Sequence, residues 1–352
     1  MSDQEHFFSL IQDLVMCHSP SGVEAEIDTY LLTYLHRLGI QHTQDPAGNI
    51  IALIKGHGEV SERLAITAHK DEIGSLVKSI NHQGHLSVRK LGGSFPWVYG
   101  EGVVDILADG GTFSGILSFG SRHISHESPQ KVFQEKESLH WEDAWIETGL
   151  SPEALLQAGV HPGTRVVVGK QRKHPILLGS KIGSYTLDNK ASVAILLKLL
   201  QRLQQEPPRD GLEVNLVFSS REEVGALGAL YFTQHQTLDT LIALEVAPVA
   251  PEYPILFNEN PVLLAQDGYG VYDDTLNHRL ARLAQAHNLP LQWAVISGFG
   301  SDGSLAMKAG HVPQAACLGF PTQNTHGYEI TFLPALRSCL DLLALYCQPE
   351  HV

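Results

Sequence analysis

Apolar residues recur at helical spacing over residues 7–17 and again over 23–38, where Val23, Ile27, Tyr30, Leu31, Tyr34, Leu35 and Leu38 share one face. SPSG separates the two segments and Gly39 closes the second. DPAGN then turns the chain into a strand, Ile50–Lys55, and after the GHGE loop a strand over residues 64–68 delivers AHKDEIG. From residue 76 to 168 the pattern changes to short β-type runs, LVKSI, LSVRKL, VVDILA, FSGILSF and RVVVG, punctuated by NHQG, DGG and HPG turns. This predicts a small β-rich insertion, inside which SPEALLQAGV reads as a short helix capped by Ser151.

After Pro175 the α/β rhythm returns. A long apolar-periodic helix follows Asp188, and a strand over 213–219 runs into Glu222 and Glu223 before a helix reaching Phe232. A strand over 241–246 carries Glu245 near its end. Further strands are expected over 261–265 and 291–296 and within VPQAACLGF, with helices over 275–287 and 330–346. SGFGSDGS reads as a loop with Asp302 at its tip, open to a substrate, and His326 lies in the loop before the last helix. The expected architecture is an α/β doubly wound sheet with helices on both faces, interrupted by a small β-rich insertion domain. Its boundaries are 1–75 and 170–352 for the α/β domain and 76–169 for the insertion.

A chain of 352 residues fits one large domain with an insertion, or two domains. The net charge of -14 argues against a nucleic-acid partner, because phosphate binding needs clustered Lys and Arg. Cys17, Cys317, Cys339 and Cys347 form no CxxC pair, which favours a reducing compartment. With no basic leader and no apolar stretch of about 20 residues, the expectation is a cytoplasmic protein with no membrane partner.

The candidate chemistry sits where predicted strands end. Taken singly, each residue has an ordinary explanation: Asp188 as an N-cap, Glu222 and Glu223 as an acidic first helical turn, Glu245 on an edge strand, His326 in a loop, and the HISHES histidines as solvated loop. Taken together, His69, Asp188, Glu223, Glu245 and His326 share a position at or beyond the carboxyl end of a strand, the edge at which open α/β sheets gather their ligands. Two imidazoles and three carboxylates suit Zn, Co or Mn rather than Ca. One bridging carboxylate would let five ligands hold two ions, leaving Glu222 free as general base. Asp71, two residues after His69, is a plausible orienter of that imidazole.

AHKDEIG, LDNKAS, REEVGALGA, ALEVAP and NTHGYE, in that order, resemble the dinuclear zinc metallopeptidases of the glutamyl and tetrahedral (TET) aminopeptidase type, some of which have carried an endoglucanase label. SPSGVEAEI, DPAGNIIA and WIETGLSPEALLQAGVHPGTRV extend the likeness over nearly the whole chain. The resemblance implies an aminopeptidase that removes N-terminal residues from peptides through a water activated by two divalent ions per subunit, zinc ahead of cobalt or manganese. It implies that His69 and Glu245 bind one ion, Glu223 and His326 the other, that Asp188 bridges, that Glu222 acts on the water, and that Asp71 orients His69. It also implies a zinc-peptidase-like doubly wound α/β catalytic domain interrupted by a small β-barrel-like insertion domain, residues 76–169, used in oligomerisation, and a homo-oligomer between dimer and dodecamer. The chain departs from the usual pattern at Glu245, where Asp is common, at Asn189, in place of a second acidic residue, at Lys70, where an apolar residue is commoner and a solvent-facing lysine is one expectation, and at Gly327, where Ser is frequent. A related deacylase of N-acyl amino acids, a cellulase, and a catalytically drifted binding protein on the same fold are the alternatives.

Overall fold

The central strands of the larger unit carry nearly continuous apolar runs because both of their faces are covered. In the computed structural model, which describes residues 3–121, 123–128 and 138–349, Leu212–Ser219, Glu62–His69, Thr240–Pro248 and Gln314–Gln323 lie side by side in parallel. Alternate residues of each strand feed opposite cores. Ile66, Leu216, Ile242 and Leu318 pack with helices Asp3–Val15, Leu187–Gln205 and Leu333–Cys347, while Ala65, Val217, Leu241 and Cys317 pack with Phe232 of Leu227–His235 and Ala306 of Asp302–Lys308. The two-residue period of a strand thus produces the layered α/β architecture.

Antiparallel strands flank this centre. Ile50–Lys55 and His42–Gln44 lie on one side, and Tyr328–Phe332, Lys181–Tyr185 and Ile176–Leu178 on the other. Val262–Gln266 and Gln292–Val295 branch from Gln314–Gln323. Lys181–Tyr185 is antiparallel to Tyr328–Phe332, which is itself antiparallel to Gln314–Gln323. Two reversals restore direction, so Lys181–Tyr185 ends at the same edge as the parallel strands, and Asp188 follows it there.

The expected last helix over 330–346 is corrected at its start. YEITF forms a strand, Tyr328–Phe332, and the helix is Leu333–Cys347, with Pro334 in its first turn, where the missing N–H has no cost. Most other boundaries moved by a few residues, as helix Asp274–Ala286 and strand Thr240–Pro248 illustrate.

Residues 73–174 make a second compact unit, the complement of 1–72 and 175–352. Its six strands close in the order Gly74–Ile80, Leu86–Leu91, Trp145–Glu147, Gly111–Ser118, Gly102–Ala108, Arg165–Val168, the last pairing back to the first. Val77, Leu86, Val88, Ile106, Leu117, Ile146 and Val166 are buried in it. Gly115 permits the close packing, since a Cβ there would lie 2.6 Å from Ile146 Cγ2. Ser151 caps helix Pro152–Gln157, accepting a hydrogen bond from Ala154 N at 3.2 Å. His123 and His126 are exposed, outside any regular element. No helix among the described residues is long and apolar enough to cross a membrane.

Candidate metal centre

Each donor reaches the carboxyl edge of the sheet by its own device. His69 is the last residue of its strand, in register with Ser219, and both are buried. Two residues beyond Ser219, Arg221 takes a left-handed conformation (φ 55°) and throws the chain into a single 3-10 turn, Glu222–Val224. Helix Leu227–His235 begins only afterwards, so the two glutamates do not form its first turn. That helix packs tightly on the turn: a Cβ at Gly228 would lie 2.3 Å from Asn49 Oδ1 and from Ser220 O. Glu245 lies inside the sheet, on a strand paired on both sides, and is 3 % exposed, which removes the edge-strand explanation.

Asp188 does not cap its helix. Its φ and ψ (-76°, 102°) are non-helical, its bond to Asn189 is cis, and its carboxylate faces imidazoles instead of helix N–H groups. Its own N–H donates to Glu329 Oε2 at 2.9 Å, while His326 N donates to Glu329 Oε1 at 2.9 Å. Glu329 thereby straps the Asp188 and His326 loops together. It stands in NTHGYE, but nothing in sequence spacing marked its role.

The predicted donors come together as two groups that share one member. His69, Asp188 and Glu245 offer atoms within 4.8 Å of one another, and so do Asp188, Glu223 and His326. His69 Nε2 lies 3.1 Å from Asp188 Oδ1 and 3.8 Å from Glu245 Oε2. His326 Nε2 lies 3.5 Å from Asp188 Oδ2 and 3.6 Å from Glu223 Oε2. The two oxygens of Asp188 therefore face different imidazoles. Glu222 belongs to neither group, yet it adjoins the first, its Oε2 3.9 Å from His69 Nε2.

Asp71 does more than the sequence indicated. Its Oδ1 lies 3.4 Å from His69 Nδ1 and accepts from Glu222 N at 2.9 Å, while Oδ2 accepts from Glu223 N at 3.3 Å and from Ser21 Oγ at 2.6 Å. Asn189 Nδ2 donates to Leu244 O at 2.8 Å and to Glu245 Oε2 at 3.0 Å, a neutral donor for the longer glutamate arm. Lys70 is not solvent-facing: it is fully buried and ion-paired with Glu24 and Asp28. Asp302 is not at a loop tip either. It is 1 % exposed in the first turn of helix Asp302–Lys308 and accepts from Ser219 Oγ at 2.6 Å.

The electrostatics show what the donor set lacks. Burial pushes Glu222, Glu223 and Glu245 well above the ordinary glutamate range, with neighbouring carboxylates adding and His69 opposing. Burial, with Asp188 nearby, pushes Glu329 up to about 8. Burial alone would lower His69, yet Glu245, Asp188 and Asp71 hold it well above the usual imidazole range. No Lys or Arg among the described residues pairs with Asp188, Glu222, Glu223 or Glu245. Buried carboxylates without a countercharge are expensive. Mixed imidazole and carboxylate donors, converging and short of positive charge, fit divalent metal ions.

An α/β sheet with His and carboxylate donors gathered at its carboxyl edge defines a metal-dependent hydrolase. The sequence profile of the M42 glutamyl aminopeptidases matches residues 48–342, and the chain belongs to that family. It is an aminopeptidase of a metal-dependent class. YhfE of Bacillus subtilis, assigned to the aminopeptidases, is 25% identical over 360 residues, covering 100% of both chains. The TET aminopeptidase of a marine sediment archaeon (Thaumarchaeota) superposes with a TM-score of 0.87 at 21% identity, over 98% of this chain and 97% of that one. The Pyrococcus horikoshii TET1 peptidase, whose copies can assemble into a tetrahedron or a large octahedral shell, gives 0.85 at 24% identity, over 97% and 99%. The aminopeptidase reading is therefore supported over the deacylase alternative.

Proposed function

We propose that the chain holds two divalent ions, zinc in the first instance, with His69 and Glu245 on one, Glu223 and His326 on the other, and Asp188 shared. The observation that carries this reading is the Asp188 carboxylate, with Oδ1 toward His69 and Oδ2 toward His326. When bound, such ions acidify water and polarise a scissile carbonyl. Glu222 takes a proton from the attacking water and returns it to the departing amine. Asp71 fixes the His69 ring through Nδ1 and holds the Glu222 and Glu223 amides, so one carboxylate sets ligand and base together. His326, its side chain 33% exposed, marks the side from which a peptide enters, and the surrounding carboxylates attract its terminal ammonium.

The cellular setting proposed is the cytoplasm, consistent with four buried free cysteines. A homo-oligomer is proposed on the strength of the TET1 peptidase assemblies, with residues 73–174 as the unit that mediates contacts. The test is metal content measured beside aminopeptidase activity before and after chelation. Close to two equivalents of metal and activity lost on chelation are expected. Less than one equivalent, or activity indifferent to chelation, overturns the reading.

A further inference from the structure

Lys70 follows directly on the strand that delivers His69, yet the metal donors make no use of it. Its side chain meets Glu24 and Asp28, whereas those of His69 and Asp71 meet each other. Its backbone is fixed on both sides, N donating to Ser219 O at 2.9 Å and O accepting from Ser19 Oγ at 2.8 Å. The ammonium is fully buried against Glu24 Oε2 and lies 2.7 Å from Asp28 Oδ1.

Glu24 turns this ion pair toward the chemistry. While Oε2 meets Lys70, its other oxygen, Oε1, accepts from Ser220 Oγ at 3.0 Å, from Arg221 N at 3.2 Å and from Gly22 N at 3.1 Å. Ser220 and Arg221 are the two residues immediately before Glu222. Arg221 is the left-handed residue that reverses the chain there, and its Nη2 donates to Ala47 O at 2.6 Å. On the far side of that reversal, Glu222 N donates to Asp71 Oδ1 at 2.9 Å. The adjacent residues Lys70 and Asp71 thus grip the same turn from opposite ends. Asp71 does so directly, and Lys70 through Glu24.

We propose that Lys70, acting through Glu24, is a positioning residue for the Ser220–Arg221–Glu222 turn, anchoring the Glu24 carboxylate through Oε2 so that Oε1 stays in place to hold both Ser220 and Arg221. The proposal rests on Glu222 being the proton-transfer residue. A left-handed non-glycine residue persists only when its surroundings over-determine it, and Glu24 supplies part of that constraint. Without the ammonium, a buried carboxylate with one face unpaired protonates or turns outward, and the turn loses its grip.

The test uses Lys70→Met, the double variant Lys70→Met with Glu24→Gln, and Lys70→Arg, in the metal-loaded protein. For Lys70→Met the expected result is a fall in kcat of at least tenfold, KM within twofold of the parent and metal content unchanged. Amide hydrogen exchange should accelerate at least tenfold in peptides spanning residues 218–226 and stay at the parent rate in the other sheet strands. The double variant removes the charge on Glu24 and keeps an oxygen acceptor, while Asp28, its side chain 19% exposed, keeps water and Gln44 as partners; it should therefore recover most of the lost kcat and slow the exchange again, and Lys70→Arg should do the same in part. Unchanged kcat and exchange in Lys70→Met overturn the proposal. So does exchange that rises throughout the sheet, or a kcat loss that only follows loss of metal. Should Lys70→Met not fold, a double variant that folds but matches Lys70→Arg in neither kcat nor local exchange overturns it as well. Full activity of Glu222→Gln would instead strike the assignment of Glu222, and local exchange would still report whether Lys70 holds the turn.

Discussion

Two acidic clusters, one meeting Lys70 and the other its neighbour His69, are neutralised in opposite ways. Around Glu24 and Asp28 the protein supplies its own cation, Lys70. Around Asp188, Glu223 and Glu245 it supplies only His69 and His326, and the glutamates are pushed upward in pKa by burial. A buried carboxylate needs a partner in either case. An internal lysine closes the account permanently and makes a rigid support, whereas leaving positive charge to an exchangeable ion makes a site. On the proposed reading, the contrast gives the neighbouring residues His69, Lys70 and Asp71 three different tasks: ligand, support and clamp.

Breaking the metal-dependent cluster should have the largest effect. Asp188→Ala removes the one carboxylate common to both donor groups, and both metal equivalents and detectable peptide hydrolysis should disappear together, as metal analysis and assay of the same sample would record. Glu222→Gln keeps the donors and removes the proton acceptor, so kcat should fall by about 10²–10⁴-fold with metal content retained. Normal turnover in that variant would reject its role. Asn189→Asp places a second carboxylate against Glu245 Oε2, where an amide now donates at 3.0 Å. Metal affinity, read by competition with a chromophoric chelator, should weaken by roughly 10–100-fold.

The comparison sharpens further in the chelated protein. There the raised pKa values of Glu222, Glu223, Glu245 and Glu329 make protonated carboxyls the favoured folded form. A folded pKa above the unfolded one contributes stability that is complete below the unfolded value and is lost as pH climbs through the folded one. The raised His69 acts in the same direction. Thermal stability of chelated protein should therefore decline from near the ordinary glutamate value of 4.5 up to about 8, where Glu329 titrates. The metal-loaded protein should show a much flatter profile over that range. Equal slopes with and without metal would contradict the shortage of positive charge inferred for the site.

Much of this was legible in the chain. Strand ends, turn residues and the two-residue period place His69, Glu222, Glu223 and Glu245 without any coordinates, because a parallel sheet forces its carboxyl ends to one edge. Asp188 was harder: its strand, Lys181–Tyr185, follows a hairpin at the sheet margin, and its carboxylate in front of a long helix imitates a cap. Glu329 was invisible for a different reason. Its function is to accept two backbone N–H groups from segments 141 and 3 residues away, and no spacing rule encodes the first of those. Lys70 and Asp302 were misjudged because polarity in a sequence predicts exposure, and only the tertiary arrangement reveals a buried partner such as Glu24 or Ser219.

Anomalous diffraction at the zinc edge from crystals of the protein grown without chelator tests the central claim most directly. Two peaks are predicted per chain on either side of the Asp188 carboxylate, one beside His69 and Glu245 and the other beside Glu223 and His326. A single peak, or metal bound away from Asp188, would contradict the account.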